Sequence, residues 1–395
     1  MLPAHVLDWL DLGLRWLHVI AGVVWIGTSF YFVWLNNRMR PIEPEVEWIE
    51  GQLWAVHGGG FHRILNYGQT PPSVPETLHW FKWEAYTTWL SGFALLVLIY
   101  YVDAEVFLID PGTADLHPWQ AVVIGLGSLA FGWLVYDRMC RSPLIERPGP
   151  FAAVSFVLVA LAALLLSLVF SGRGAYIHVG ALLGTLMAGN VFFVIIPAQK
   201  GMVAAMESGG EPDTEAGRHA AVRSLHNNYL TLPVLFIMIS SHFPFTYEHA
   251  WNWVILVALS VVGAGTRHWF NLRGQGRRNV WILPAAAAGL VALALVTAPT
   301  FGSSLPPVGD VTFSEGIAIV QASCLSCHSA TPTQPGFTSP PKGVTFDTDA
   351  QIVANATLIR RMAVDTIAMP PGNLTQMTDE ERAKLRAWLN QHTQG

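Results

Sequence analysis

Eight stretches of this chain are each close to the length and apolarity that a helix needs to cross a lipid bilayer. They lie at 12–35, 85–102, 119–136, 151–170, 174–196, 229–243, 251–269 and 280–298. A hydrocarbon core of ~30 Å takes roughly 20 helical residues. No water reaches that core, so the backbone must satisfy its own hydrogen bonds, which a helix does within one segment. The sixth stretch is the shortest and carries Pro233, which membrane helices tolerate where neighbours re-satisfy the freed carbonyl. Only 12% of the residues are charged, against roughly 25% in soluble domains. The expected fold is all-α: an eight-span helical bundle over residues 1–298, with lipid as its first partner.

Charge orients the bundle. Arg38, Arg40, Arg63 and Lys82 follow the first span; Arg138, Arg141 and Arg147 fall in the next alternate loop. Lys200, Arg218 and Arg223 come next, then Arg267, Arg273, Arg277 and Arg278. The opposite loops hold only Arg173, among Asp103, Glu105, Asp110 and Asp115. Under the positive-inside rule the basic loops are cytoplasmic, and both termini lie outside. The net charge of -5 is mild and nothing basic is clustered, which argues against a nucleic-acid partner.

Residues 299–310 are rich in Pro, Gly and Ser without an apolar period and read as a linker. Residues 311–395 read as a separate soluble domain. Thr312 with Glu315, and Thr378 with Glu381, have the spacing of capping boxes that open helices. Between them stands Cys324-Leu-Ser-Cys327-His328, the attachment motif of a c-type haem. Two thiols add to the two vinyl groups of one porphyrin, and the adjacent His reaches the iron from the same turn. A zinc site would need further thiol or imidazole ligands, and outside the motif this domain offers only His392. Met362, Met369 and Met377 compete for the second axial position. Met369 is favoured, because Pro370-Pro371-Gly372 stiffens the loop that carries it. In this arrangement the domain resembles the small class I cytochromes c. Haem of this kind is attached outside the bacterial cytoplasm, in agreement with the charge asymmetry.

Ionisable groups within spans invite a functional reading. His18 lies ~9 Å and His178 ~6 Å in from the outer face, so the pair is a candidate ligand set for a b-type haem. His18, Gly22, Trp25 and Ser29 share a helical face, with Arg15 one turn outward. Each His hydrogen-bonding to a neighbouring helix is the structural alternative.

On the cytoplasmic side, His79-Trp-Phe-Lys82-Trp-Glu84 opens the second span and His226-Asn227-Asn228-Tyr229 the sixth. These strings, with Leu17-His18-Val-Ile-Ala-Gly-Val-Val-Trp25 and Trp54-Ala-Val-His57-Gly-Gly-Gly-Phe61, make the chain resemble the bacterial membrane-bound urate oxidase (urate hydroxylase) family. That resemblance covers essentially the whole chain and departs at His62, where Tyr is expected. It implies oxidation of urate to 5-hydroxyisourate by a protein of the bacterial inner membrane. Electrons would pass through the fused cytochrome to a cytochrome c or terminal oxidase, without hydrogen peroxide. A flat urate monoanion needs positive charge, amide partners and a base. Lys82, Asn227 and Asn228 are the expected substrate contacts, and Glu84 and His226 the expected catalytic pair. The alternatives are an electron-transfer cytochrome subunit of another membrane oxidoreductase and a transporter or haem-pathway protein carrying a cytochrome.

Overall fold

A computed structural model describes residues 4–42, 48–68, 71–298, 305–335, 337 and 339–392. Part of the expected linker, 299–304, lies outside the described residues.

A helix lies in each of the eight expected stretches. They are α1 (Ala4–Arg38), α2 (Trp83–Leu95), α4 (Pro118–Cys140), α5 (Pro148–Ser167), α6 (Gly172–Asn190), α8 (Thr214–Ser240), α10 (Asn252–Gly274) and α11 (Ile282–Val296). Short helices α3 (Ala104–Phe107), α7 (Ile196–Glu207) and α9 (Pro244–Tyr247) join them. Five segments are long and apolar enough to cross a membrane: His5–Arg38, Pro118–Cys140, Pro148–Ser167, Gly172–Glu207 and Asn252–Gly274. The apolar α11 is shorter, and α2 and α8 are not among the five. Helix α8 starts well before the apolar stretch at 229. The Asp213 carboxylate accepts from the Glu215 and Ala216 N–H groups (3.0 and 2.9 Å) and sets that start.

Two π turns, Leu96–Tyr101 and Val191–Ile195, extend α2 and α6. Helix α6 is the most enclosed. Its glycines allow close approach: a Cβ on Gly180 would lie 2.5 Å from Ile237, and one on Gly189 2.5 Å from Trp133.

Among the described residues the all-α expectation has one exception, a hairpin of β1 (Gly51–His57) and β2 (Gly60–Asn66), with Trp54 opposite Arg63 and Val56 opposite Phe61. Gly58 and Gly59 turn it with φ of 59° and 80°. Two consecutive positive φ values match the right-handed strand twist and favour glycine.

The C-terminal domain comprises α12 (Phe313–Cys324), α13 (Asp349–Ala354), α14 (Ala356–Ile359) and α15 (Asp379–His392). Both expected capping boxes form, Glu315 on Thr312 and Glu381 on Thr378. Helices α12 and α15 cross at Gly316, whose missing side chain makes room for the fully buried Trp388. The Pro371–Asn373 turn of this domain rests on α3 of the bundle.

Candidate functional site

Helix α12 ends at Cys324, and the next turn delivers Cys327 and His328, whose N–H groups both reach the Cys324 carbonyl (3.3 and 2.9 Å). Both cysteines are free. The His328 Nδ1 lies 3.0 Å from the Val344 carbonyl. A carbonyl only accepts, so Nδ1 carries the hydrogen and Nε2 keeps a lone pair for a metal. Cys324, Val344 and Met369 pack at the edge of one apolar core, which encloses Met377. Buried Arg382 on α15 donates to the carbonyls of Ala363 and Met369 (2.6 and 2.9 Å), bracing the Met369 loop. Two free thiols one turn apart, an oriented imidazole and a braced thioether loop fit a covalent haem. No cluster of three His, Cys, Asp or Glu able to hold a metal ion exists among the described residues.

The membrane histidines do not fit a shared haem. His18 bonds through Nδ1 to the Thr88 carbonyl (2.9 Å) and lies near the Ser91 hydroxyl (3.1 Å), with its ring against Gly92. Gly22, expected to clear space for a macrocycle, instead packs near Thr88. His178 is fully buried. Its Nδ1 bonds the Gly174 carbonyl (2.8 Å) and its Nε2 the Tyr101 hydroxyl (3.1 Å). Thr88, Ser91 and Gly92 bring α2 against α1. Trp89 and Tyr101 bring it against α6, Trp89 through a hydrogen bond to Thr185 (3.1 Å). Helix α2 therefore separates the two histidines, and Arg15 pairs with Asp11 (2.8 Å). His18 thus meets α2 from α1, and His178 meets the π turn that extends α2 from α6.

The polar residues of α8 divide between two layers. In the first, Arg223 donates to Asp137 (2.7 Å) and to Asn190 Oδ1 (3.0 Å). Asn190 Nδ2 donates to the Tyr136 hydroxyl and to Asn227 Oδ1 (2.9 and 2.8 Å), and Asn227 Nδ2 to the Met187 carbonyl (3.0 Å). Tyr136 bonds His226 Nδ1 (3.0 Å), and the imidazole stacks on Phe151 at 4.5 Å. This layer ties α4, α6 and α8 together, and both amides of Asn190 and Asn227 are fully used.

The second layer faces α10. Arg267 Nε and Asn271 Nδ2 both donate to Asn228 Oδ1 (2.9 and 3.0 Å), and the Arg267 guanidinium lies 3.8 Å over the Phe30 ring of α1. A guanidinium only donates, so it fixes Asn228 Oδ1 as the acceptor. Asn271 must then donate, and its Oδ1 is left as an acceptor. Both remaining amide atoms, Asn228 Nδ2 and Asn271 Oδ1, are buried without a partner. So is Glu84 Oε2 on α2, whose other oxygen lies 3.9 Å from His79. Helix α1 packs against α2, α8 and α10, which carry these groups. Asn228 Nδ2 and Asn271 Oδ1 stand together, a donor and an acceptor on one amide pair, and Arg223 Nε in the first layer is a further buried atom without a partner; buried orphan polar atoms are few in folded proteins.

The structure thus keeps Asn228 and Glu84 with free polar atoms and commits His226 and Asn227 to the first layer. Lys82, just ahead of α2, holds its ammonium 5.5 Å over the exposed Trp83 ring. Arg267 and Asn271 were not singled out by the sequence reading, although an Arg and an Asn on an apolar helix are such a signal.

A family model described as urate oxidase N-terminal matches residues 4–298, and one described as cytochrome c matches residues 313–393. No curated protein and no solved structure matches the chain.

Proposed function

The chain belongs to the urate oxidase N-terminal family, with a cytochrome c domain joined to it, and from that premise we propose that it oxidises urate to 5-hydroxyisourate and delivers the electrons through its own cytochrome. The observation that carries the site assignment is the set of unpartnered buried atoms, Asn228 Nδ2, Asn271 Oδ1 and Glu84 Oε2. Urate is planar and edged with alternating C=O and N–H groups. One fixed amide donor and one fixed amide acceptor match such an edge. The Arg267 guanidinium favours the anion, and Phe30 beside it offers a flat apolar face.

Urate plus water gives 5-hydroxyisourate, two protons and two electrons. The Glu84 carboxylate takes a ring proton, which raises the electron density of the ring that must be oxidised. The water oxygen joins the oxidised ring carbon and its proton leaves. Asn228, Asn271 and Arg267 hold the ring through both stages. His226 and Asn227 support this layer from behind by fixing α8 to α4 and α6.

Cys324, Cys327, His328 and Met369 hold the haem c, which supplies a one-electron acceptor. The basic ends of the helices lie in the cytoplasm, and the cytochrome domain lies in the periplasm of a bacterial inner membrane. A cytochrome c or terminal oxidase drains the electrons, so hydrogen peroxide is not a product.

The test is anaerobic addition of urate to the purified full chain. Reduction of the cytochrome with formation of 5-hydroxyisourate and no peroxide is expected. A cytochrome that dithionite reduces and urate does not would make the chain an electron-transfer subunit for another donor.

A further inference from the structure

Gly372 follows Met369 by three residues and has φ +53°. A Cβ there would lie 2.6 Å from the Ile109 carbonyl oxygen and 3.6 Å from that of Val106. Any side chain would push this turn off the bundle, because the obstacle is backbone and cannot move aside cheaply. The Met369 loop is thus seated directly on residues 106–109. That shelf is rigid. Val106, Leu108 and Ile109 are buried; the Ser171 hydroxyl donates to the Phe107 carbonyl (3.0 Å) and the Ser171 N–H to the Leu108 carbonyl (2.9 Å). Arg173 stiffens it from below, lying 4.8 Å over Phe107 and donating to the Tyr100 hydroxyl (3.0 Å).

The other side of the contact is equally fixed. Arg382 grips the carbonyls of Ala363 and Met369, so it sets where the loop stands. Glu248, just after α9 of the bundle, shares its electrostatic surroundings with Asp110, Arg173 and Arg382. Burial and the Asp110 carboxylate push its carboxyl up to about 8, against the pull of the two guanidiniums.

We propose that residues 106–110 together with Glu248 are a docking site for the cytochrome domain's Met369 loop, and that electrons enter the cytochrome while that loop is seated. The occupant is this chain's own domain. The docked geometry is what distinguishes this from a domain that samples the bundle freely on its linker. With haem held by Cys324, Cys327, His328 and Met369, each seating would pass one electron drawn from urate in the bundle, and two seatings would account for the pair that leaves urate, a clause that rests on the function proposed above. Gly372 and Glu248 are positioning residues, since neither touches substrate or iron.

The experiment places a photo-crosslinking residue at the exposed position 105 of the full-length holoprotein. Irradiation should join it to the tryptic peptide 362–382. Glu248→Lys faces two guanidiniums with a third positive charge, and like charges brought together oppose the contact. It should abolish the crosslink and slow urate-driven haem reduction by about tenfold or more, in step with the lost docked fraction. Covalent haem stain, dithionite-reduced spectrum and midpoint potential should not change. Glu248→Gln keeps the site neutral and should keep both signals. Gly372→Val should act like Glu248→Lys from the cytochrome side. A wild-type protein without this crosslink would overturn the proposal, and so would Glu248→Lys with an unchanged reduction rate. A wild type that crosslinks but is never reduced by urate would sink the urate assignment alone.

Discussion

Helix α8 carries two polar layers within six residues, and they end differently. The layer facing α4 and α6 is closed at its amides: Arg223 is paired with Asp137 and keeps only its Nε without a partner, and Asn190 and Asn227 spend every amide atom on a protein partner. The layer facing α10 is open: Arg267, Asn228 and Asn271 bond one another and still leave a buried donor and a buried acceptor over. Each has one Arg and two Asn, and the first adds Asp137, Tyr136 and His226. What separates them is the kind of atom left over: one guanidinium N–H in the first, an amide donor and an amide acceptor in the second. A buried amide without a partner costs about 1–3 kcal/mol. On the function proposed above, urate removes that cost in the second layer, while the first layer acts as structure.

The sharpest way to break this contrast is to open the closed layer. Arg223→Ala leaves Asp137 buried beside a single remaining partner, the exposed Arg141. The expected loss is about 3–5 kcal/mol of stability, as for other buried pairs cut on one side. It would show as a lower thermal midpoint in detergent, and the paired change Asp137→Leu with Arg223→Met should recover most of it. Arg223→Ala with wild-type stability would mean that the closed layer holds nothing together.

The next effect belongs to the open layer. Asn271→Ala removes the free acceptor and should weaken urate binding by about 1–3 kcal/mol, roughly 5- to 150-fold, while leaving the thermal midpoint of the ligand-free protein near wild type. Asn227→Ala should do the reverse, losing stability and keeping affinity. Equilibrium binding and melting of both variants decide the matter, and an exchange of these two phenotypes would reassign the layers.

Urate itself gives a third comparison. At about 100 times its dissociation constant it should stabilise the wild-type fold by ~2.7 kcal/mol. The same concentration should shift Asn271→Ala much less and Asn227→Ala as much as wild type. Equal shifts in all three would place urate elsewhere.

The smallest expected effect lies at the docking site, a third polar cluster, in which Glu248 feels the charges of Asp110, Arg173 and Arg382. Burial and the Asp110 carboxylate of the bundle raise its carboxyl to about 8, while Arg382 of the cytochrome domain pulls it down. Glu248→Gln replaces an acid that burial already disfavours in its charged form with a neutral group of the same shape. Crosslink yield from position 105 and the rate of urate-driven reduction should both stay near wild type in that variant, and a loss as large as that of Glu248→Lys would show that charge alone does not explain the contact.

Much of this architecture is legible in the residues. Apolar runs place the long helices, since lipid-facing helices need little else, and the spacing of Cys324, Cys327 and His328 names its own chemistry. The hairpin is not found by an apolar count, although Gly58-Gly59 between two alternating runs marks it. The division of α8 is hidden for a geometric reason. Consecutive helical residues point ~100° apart, so His226, Asn227 and Asn228 read as one motif and face different neighbours. The matched depth of His18 and His178 carried no azimuth, and α2 lies between them. Arg223 and Arg267 entered the charge count that orients the bundle, yet both turn inward.

The crossing of α12 with α15 has a consequence in time. Trp388, Leu385 and Leu389 complete a core that Gly316, Ile317 and Val320 begin, and the His392 ring reaches back to the Val311 carbonyl (2.8 Å). The first helix of this module to leave the ribosome waits for the last. Until some 70 further residues have been made, the thiols of Cys324 and Cys327 belong to an open chain, so haem ligation and helix closure compete within a single interval. A premature stop anywhere before Trp388 would cost the whole electron-accepting module while the bundle was already in place.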